Sequence, residues 1–226
     1  LLDPGDTPNK NIQFLLVLAC IMKAVDTHAD LLRQSASDPG NDHRLGANEA
    51  PPAIISIYLG DELLSILEAI ENGEHHDSAK REKMNMGADI IPSFRKDNAD
   101  RNRTSPFAFT GNKFEFRMLG STLSIAGPNI ILNTIVADVF SEFADRLEKA
   151  QDFETELKAL LKETIANHKR IIFNGNNYSE DWIALAKERG LLNLRSSADA
   201  LPFFASRKNV ELFTRNKIFT EAEVRS

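Results

Sequence analysis

Charged side chains that could work together are concentrated in one run: Arg101-Asn102-Arg103-Thr104-Ser105-Pro106-Phe107-Ala108-Phe109-Thr110-Gly111-Asn112-Lys113-Phe114-Glu115-Phe116-Arg117. Arg101, Arg103 and Arg117 bracket two aromatic runs, and Thr110-Gly111-Asn112 between them has the chemistry of a turn. Strand side chains alternate between faces, so Lys113, Glu115 and Arg117 are expected on one face and Phe114 and Phe116 on the other. Two cations and a carboxylate, backed by phenyl rings anchored in a core, can receive a metal ion, a phosphate and a carboxylate together. The same alternation also suits a solvated hairpin face with cross-strand charge pairs.

A second candidate run is Asn41-Asp42-His43-Arg44-Leu45-Gly46-Ala47-Asn48-Glu49-Ala50-Pro51-Pro52. It lies in residues 35–52, whose Ser, Gly, Asn, Asp and Pro content predicts a loop. Functional side chains concentrate on loops held by a scaffold. From composition alone, Arg44 and Glu49 equally make a surface ion pair, worth little energetically.

Taken together the two runs resemble the glutamine synthetase family. Its members carry an Arg-Asn-Arg-Ser segment, a later Glu-x-Arg strand, and an Asn…Arg-Leu…Glu-Ala-Pro loop. The wording here is most similar to the type III class, and the likeness extends to the tail His168-Lys169-Arg170-Ile171-Ile172-Phe173-Asn174-Gly175-Asn176-Asn177-Tyr178. The resemblance implies ATP-dependent ligation of ammonia to glutamate, with Mg2+ or Mn2+ required. It assigns Arg44, Arg117, which helps position substrate or the transferred phosphate, and, more weakly, Asn41 to substrate binding. Glu49 is implied as the flap carboxylate that deprotonates ammonium, and Glu115 as a metal ligand. Arg103 is implied as a catalytic, phosphate-contacting arginine and Lys113 as a nucleotide-phosphate contact. Each role suits its group: a carboxylate attracts ammonium and takes its proton, Arg grips a carboxylate through parallel hydrogen bonds, and Mg2+ prefers carboxylate oxygens. One departure stands out, because the commoner family pattern has a further arginine where this chain has Ala108. Two other readings remain: a related ligase using another amine, and a non-catalytic relative that keeps the fold.

Composition agrees with a soluble globular chain, with 226 residues, 42% hydrophobic and 27% charged. A formal charge of −6 argues against a general nucleic-acid binder, and the apolar run from Phe14 to Met22 is too short to span a bilayer. A single cysteine, Cys20, builds no internal disulfide framework and is compatible with the cytoplasm. The resemblance implies a homo-oligomer with active sites between subunits, and a chain that is a piece of a longer protein.

The expected fold class is α+β: part of a curved antiparallel catalytic-domain sheet backed by helices over residues 1–150, then a helical C-terminal region over 151–226. Apolar periodicity predicts a core helix over about 10–34, capped by Asp6 or Thr7, with His28 on its surface. A β-branched strand is expected over 53–59, and a helix over about 62–71 stopped by Asn72-Gly73. Further helices are expected over about 127–150, 153–173 and 179–190, with another near 196–205 and a helix start at Thr220. Glu74-His75-His76-Asp77 reads as a solvated loop rather than a metal cluster, and Ile90-Ile91-Pro92 as a short edge strand.

Overall fold

Residues 1–73 and 103–226 are described in the computed structural model of the chain. The Glu74-His75-His76-Asp77 cluster, Ile90-Ile91-Pro92 and Arg101 lie outside the described residues. Among the described residues the fold is α+β, mostly helical with one small three-stranded sheet. Helices α1 (Ile12–Thr27), α2 (Ala29–Ser35) and α3 (Pro39–Arg44) precede strand β1 (Ile57–Tyr58) and α4 (Asp61–Asn72). Strands β2 (Phe107–Phe109) and β3 (Phe114–Phe116) follow, then the long helices α5 (Ala126–Glu148) and α6 (Phe153–His168). The shorter helices α7 (Glu180–Glu188), α8 (Ser197–Ala200), α9 (Arg207–Arg215) and α10 (Glu221–Arg225) end the described chain.

The core forms around α1, which is apolar on almost every side and is packed by both α5 and α6. The expected helix over 10–34 is not continuous. It breaks at His28, which adopts φ −118° and ψ 31° and serves both as the C-cap of α1 and the N-cap of α2. A break exposes carbonyls that need donors. Lys208 of α9 supplies one, its Nζ lying 2.7 Å from Thr27 O. His28 is therefore buried, contrary to the surface position expected for it, with Nδ1 3.1 Å from Asn209 Oδ1. Asn209 donates its amide to Asp30 and to Phe203 O, so its oxygen faces His28 and accepts from Nδ1–H. At the other end α1 is capped by Asn11, whose Oδ1 accepts from Phe14 N at 3.1 Å. The cap is not Asp6 or Thr7, because Pro8–Lys10 forms a separate 3-10 turn.

Of the β-branched run 53–59, only Ile57–Tyr58 joins the sheet. β1 pairs with β2 in parallel and β2 with β3 antiparallel, so the described sheet is mixed rather than wholly antiparallel. The parallel pair follows from the crossover through α4, since parallel neighbours cannot be joined by a hairpin. On the other side of β1, Phe173 N donates to Ile57 O at 2.9 Å. This explains why α6 ends at His168 rather than near Phe173: a 3-10 turn, Lys169–Ile171, releases Ile172 and Phe173 to lie along β1. Asn174 Oδ1 then accepts from both Leu59 N and Gly60 N, at 3.0 and 3.1 Å.

The Phe173 ring stacks on Trp182 of α7 at 3.8 Å between centroids and closes over Gly175. A Cβ at Gly175 would press into the Phe173 ring at Cζ, and the stack leaves that ring no easy retreat. Gly175→Ala is expected to destabilise the chain by about 1–3 kcal/mol, the usual cost of overpacking. Urea unfolding followed by the fluorescence of Trp182, the one tryptophan, measures it directly. An unchanged midpoint would show that the ring moves freely.

Candidate functional site

The hairpin forms around the expected turn, with Phe107 opposite Phe116, Ala108 opposite Glu115 and Phe109 opposite Phe114. Phe107 and Phe114 stack at 5.0 Å, and Phe109 meets Phe14 of α1 at 5.8 Å. That aromatic face is fastened to the core, so the alternating residues of β3 turn outward. On the outward face, Glu115 Oε2 accepts from Arg117 Nη2 at 2.7 Å and Nε at 3.2 Å, and Lys113 Nζ lies 3.3 Å from Oε1. Hydrogen bonds from Arg117 first, and then from Lys113, hold the Glu115 carboxyl below the usual glutamate range. Ala108 is fully buried and sits on the same face, directly opposite Glu115.

Residues 35–52, expected as loop, contain α3. Asp38 caps it by accepting from Asn41 N at 3.1 Å, and Pro39 occupies the first turn, where its missing N–H costs nothing. Arg44 ends this helix and reaches across to the segment leaving β3. Its Nη2 donates to Met118 O at 2.7 Å, and its Nε to Asn41 Oδ1 at 3.0 Å. Asn41 is buried, and its amide also donates to Met118 O, at 3.0 Å, and to Ala36 O, at 2.8 Å. The Met118 carbonyl thus joins α3 to the residue next to Arg117. After Arg44 the chain closes on itself: Leu45 bridges Ala50, and Gly46 N donates to Ala50 O and Pro51 O. Gly46 takes φ +79°, which glycine adopts without strain, and the closure leaves Glu49 exposed.

Arg103 is exposed just ahead of β2, and the side chain of the next residue, Thr104, is bonded to a distant segment. Asn177 N donates to Thr104 Oγ1 at 3.1 Å, while Asn177 Nδ2 donates to Ser56 Oγ at 2.9 Å. Arg117 N donates to Pro106 O at 2.8 Å, which ties the start of β2 to the end of β3. One end of the hairpin therefore gathers Arg44 and Arg117, with Arg103 on the adjoining strand lead-in. Lys113 lies toward the turn, and Glu115 sits between them. Sequence reasoning missed the Met118 carbonyl, which as a backbone group leaves no residue-type signal. It also did not anticipate the bonds by which Asn174 and Asn177 reach the residues flanking β1 and the Thr104 side chain.

The donor set decides what this face can hold. Glu115 offers ionised hard oxygens, which fit one ligand position of Mg2+ or Mn2+. Among the described residues no group of three or more His, Cys, Asp or Glu side chains is placed to enclose a metal. The flanking cations instead suit phosphate and carboxylate oxygens.

Residues 156–226 match the family model of the glutamine synthetase C-terminal domain. The chain is 48% identical over 229 residues to the type-3 glutamine synthetase of Dictyostelium discoideum, a match covering 100% of this chain and 31% of that protein. It is 46% identical over 231 residues to the glutamine synthetase of Butyrivibrio fibrisolvens, covering 100% of this chain and 32% of that protein. With the glutamine synthetase of Bacteroides fragilis the identity is 38% over 231 residues, covering 99% and 32%. The chain thus spans about a third of the length of the curated relatives it matches. No helix among the described residues is long and apolar enough to cross a membrane.

Proposed function

From the premise that this chain is homologous along its whole length to glutamine synthetases, and matches their C-terminal domain over 156–226, we propose that the whole protein ligates ammonia to L-glutamate at the expense of ATP. Residues 1–150 contribute part of the catalytic domain, and the three described strands are one portion of a larger curved sheet. Residues 151–226 form the helical region that packs behind it. The observation that carries this reading is the hydrogen bonding of Arg44 and Asn41 to the Met118 carbonyl, which seats the loop arginine beside the strand of Glu115 and Arg117.

A carboxylate is a poor acyl donor, so the γ-carboxylate oxygen of glutamate first attacks the terminal phosphorus of ATP and ADP departs. Arg103, Arg117 and Lys113 offset the charge on the moving phosphoryl group. With Ala108 in place of a further arginine, these cations carry that charge without it. Arg44 holds the substrate carboxylate, and Asn41 acts through Arg44 by fixing its guanidinium. Glu49, on its exposed loop, attracts ammonium and takes one proton. The ammonia nitrogen then attacks the acyl carbon, the bond to the phosphate oxygen breaks, and phosphate leaves. Glu115 would hold one Mg2+ or Mn2+, which when bound would offset the negative charge that builds up in the phosphoryl transfer. Partners on this reading are glutamate, ammonia, ATP and further copies of the same subunit, with active sites between subunits, in the cytoplasm. No role in binding nucleic acid or membranes is assigned.

The test is glutamine formation by the whole protein with glutamate, ATP and Mg2+, with and without ammonium. Ammonium-dependent glutamine in step with phosphate release is the expected result. Phosphate release without glutamine would point to another amine, and an inert, well-folded protein to a non-catalytic relative.

A further inference from the structure

Arg33 is a charged side chain with 1% exposure, set in α2. Its Nε donates to Leu194 O at 2.7 Å and its Nη1 to Ser37 Oγ at 3.2 Å. Its Nη2 donates to Asp42 Oδ1 at 2.7 Å. The other oxygen of Asp42 accepts from Ser197 N, the first N–H of α8, at 2.6 Å. Burial alone would raise the Asp42 pKa, but the Ser197 N–H and the Arg33 guanidinium outweigh it, and the carboxyl lies below the usual aspartate range. Asp42 sits in α3 between Asn41 and Arg44, the two residues bonded to the Met118 carbonyl. Helix α3 is too short to hold itself, so its position comes from these tertiary bonds. On one side it is bonded to the segment that follows β3. On the other it is bonded to the C-terminal helical region through Asp42.

We propose that Arg33, Asp42 and the backbone N–H of Ser197 form a positioning clamp through which the C-terminal helical region sets the placement of Arg44, and hence the affinity for the substrate carboxylate. The proposal rests on the ligase reading for its substrate but not for its mechanics. Residues placed on the phosphate side have other supports: Lys113, Glu115 and Arg117 are fixed by the hairpin register, and the Arg103 segment by Thr104 and Asn177. Loosening the clamp therefore weakens glutamate binding selectively and leaves ATP binding alone.

Ser197→Pro tests this cleanly. Position 197 is the first residue of α8, where proline is tolerated, and Ser196 before it is already extended at φ −115° and ψ 156°, as a residue preceding proline must be. The substitution replaces the N–H that Asp42 accepts by a ring carbon and forces the carboxylate away. Ser197→Ala keeps the N–H and is the control. In the whole protein, Ser197→Pro is expected to raise KM for glutamate on the order of tenfold, the loss of one hydrogen bond to a charged group, with KM for ATP unchanged. Asp42→Asn, which also leaves Arg33 buried without its counter-charge, is expected to raise it further, up to about 10²-fold. Amide hydrogen exchange across α3 gives a readout that does not depend on turnover. It is expected to quicken in Ser197→Pro and not in Ser197→Ala. Unaltered exchange in α3, or equal rises in KM for glutamate and ATP, would overturn the clamp. A wild-type protein that forms no glutamine would overturn the ligase reading instead, while the exchange result still decides whether the clamp couples the two regions.

Discussion

On the proposed ligase reading, Glu49→Ala is expected to lower ammonium-dependent glutamine formation by about 10²- to 10⁴-fold, the usual range for losing a positioned general base, while ATP affinity stays as it was. The separation follows from where the side chain lies. Glu49 sits exposed on the loop closed by the Leu45–Ala50 bridge. The cations assigned to phosphate are carried by the hairpin and its lead-in, which that loop does not support. Raising the pH restores part of the lost rate in the variant, because free ammonia then no longer needs a protein base. Isothermal titration with ATP, beside a glutamine assay over a pH series, separates the two effects. Equal losses of ATP binding and turnover would make Glu49 a structural residue.

Glu115→Ala weakens metal-dependent ATP binding by about 10- to 100-fold, as expected when a metal loses a ligand or its close support. Two electrostatic changes act together. One ionised oxygen donor is lost, and Arg117 and Lys113, which now neutralise Glu115 at 2.7 and 3.3 Å, are left as uncompensated positive charge beside the proposed metal position. Those freed cations still attract phosphate, so ATP binding without divalent metal does not fall in parallel. Titrating ATP binding against Mn2+ reads both terms. An unchanged Mn2+ dependence would remove Glu115 from the metal site.

Much of the outward face of β3 was legible from residue types, because alternation and a Thr-Gly-Asn turn determine a hairpin locally. Strand partners were not. The run 53–59 looks like a full strand by β-branching, yet only two of its residues join the sheet, and their parallel partner is reached by a crossover that local pattern does not encode. Helix α3 was hidden for a different reason. Pro39, Gly40 and Asn41 are poor helix formers, and the segment is helical because Asp38 caps it and Arg33, Ser197 and Met118 hold it. His28 appeared to lie on a helix surface because nothing nearby in sequence announces α9, whose Lys208 and Asn209 fill the break. The residue types that resembled a substrate loop were legible. The device that connects that loop to the strand is a backbone carbonyl and was not.

The measurement that bears most directly on the central claim is oxygen transfer from glutamate to phosphate. Glutamate labelled with 18O in its γ-carboxylate is turned over by the whole protein with ATP, Mg2+ and ammonium, and the released phosphate is examined by mass spectrometry. Activation of the carboxylate by phosphorylation, followed by displacement by ammonia, delivers one labelled oxygen to each phosphate formed. Phosphate free of label alongside glutamine would contradict the account, since ATP would then be cleaved without ever being joined to the carboxylate.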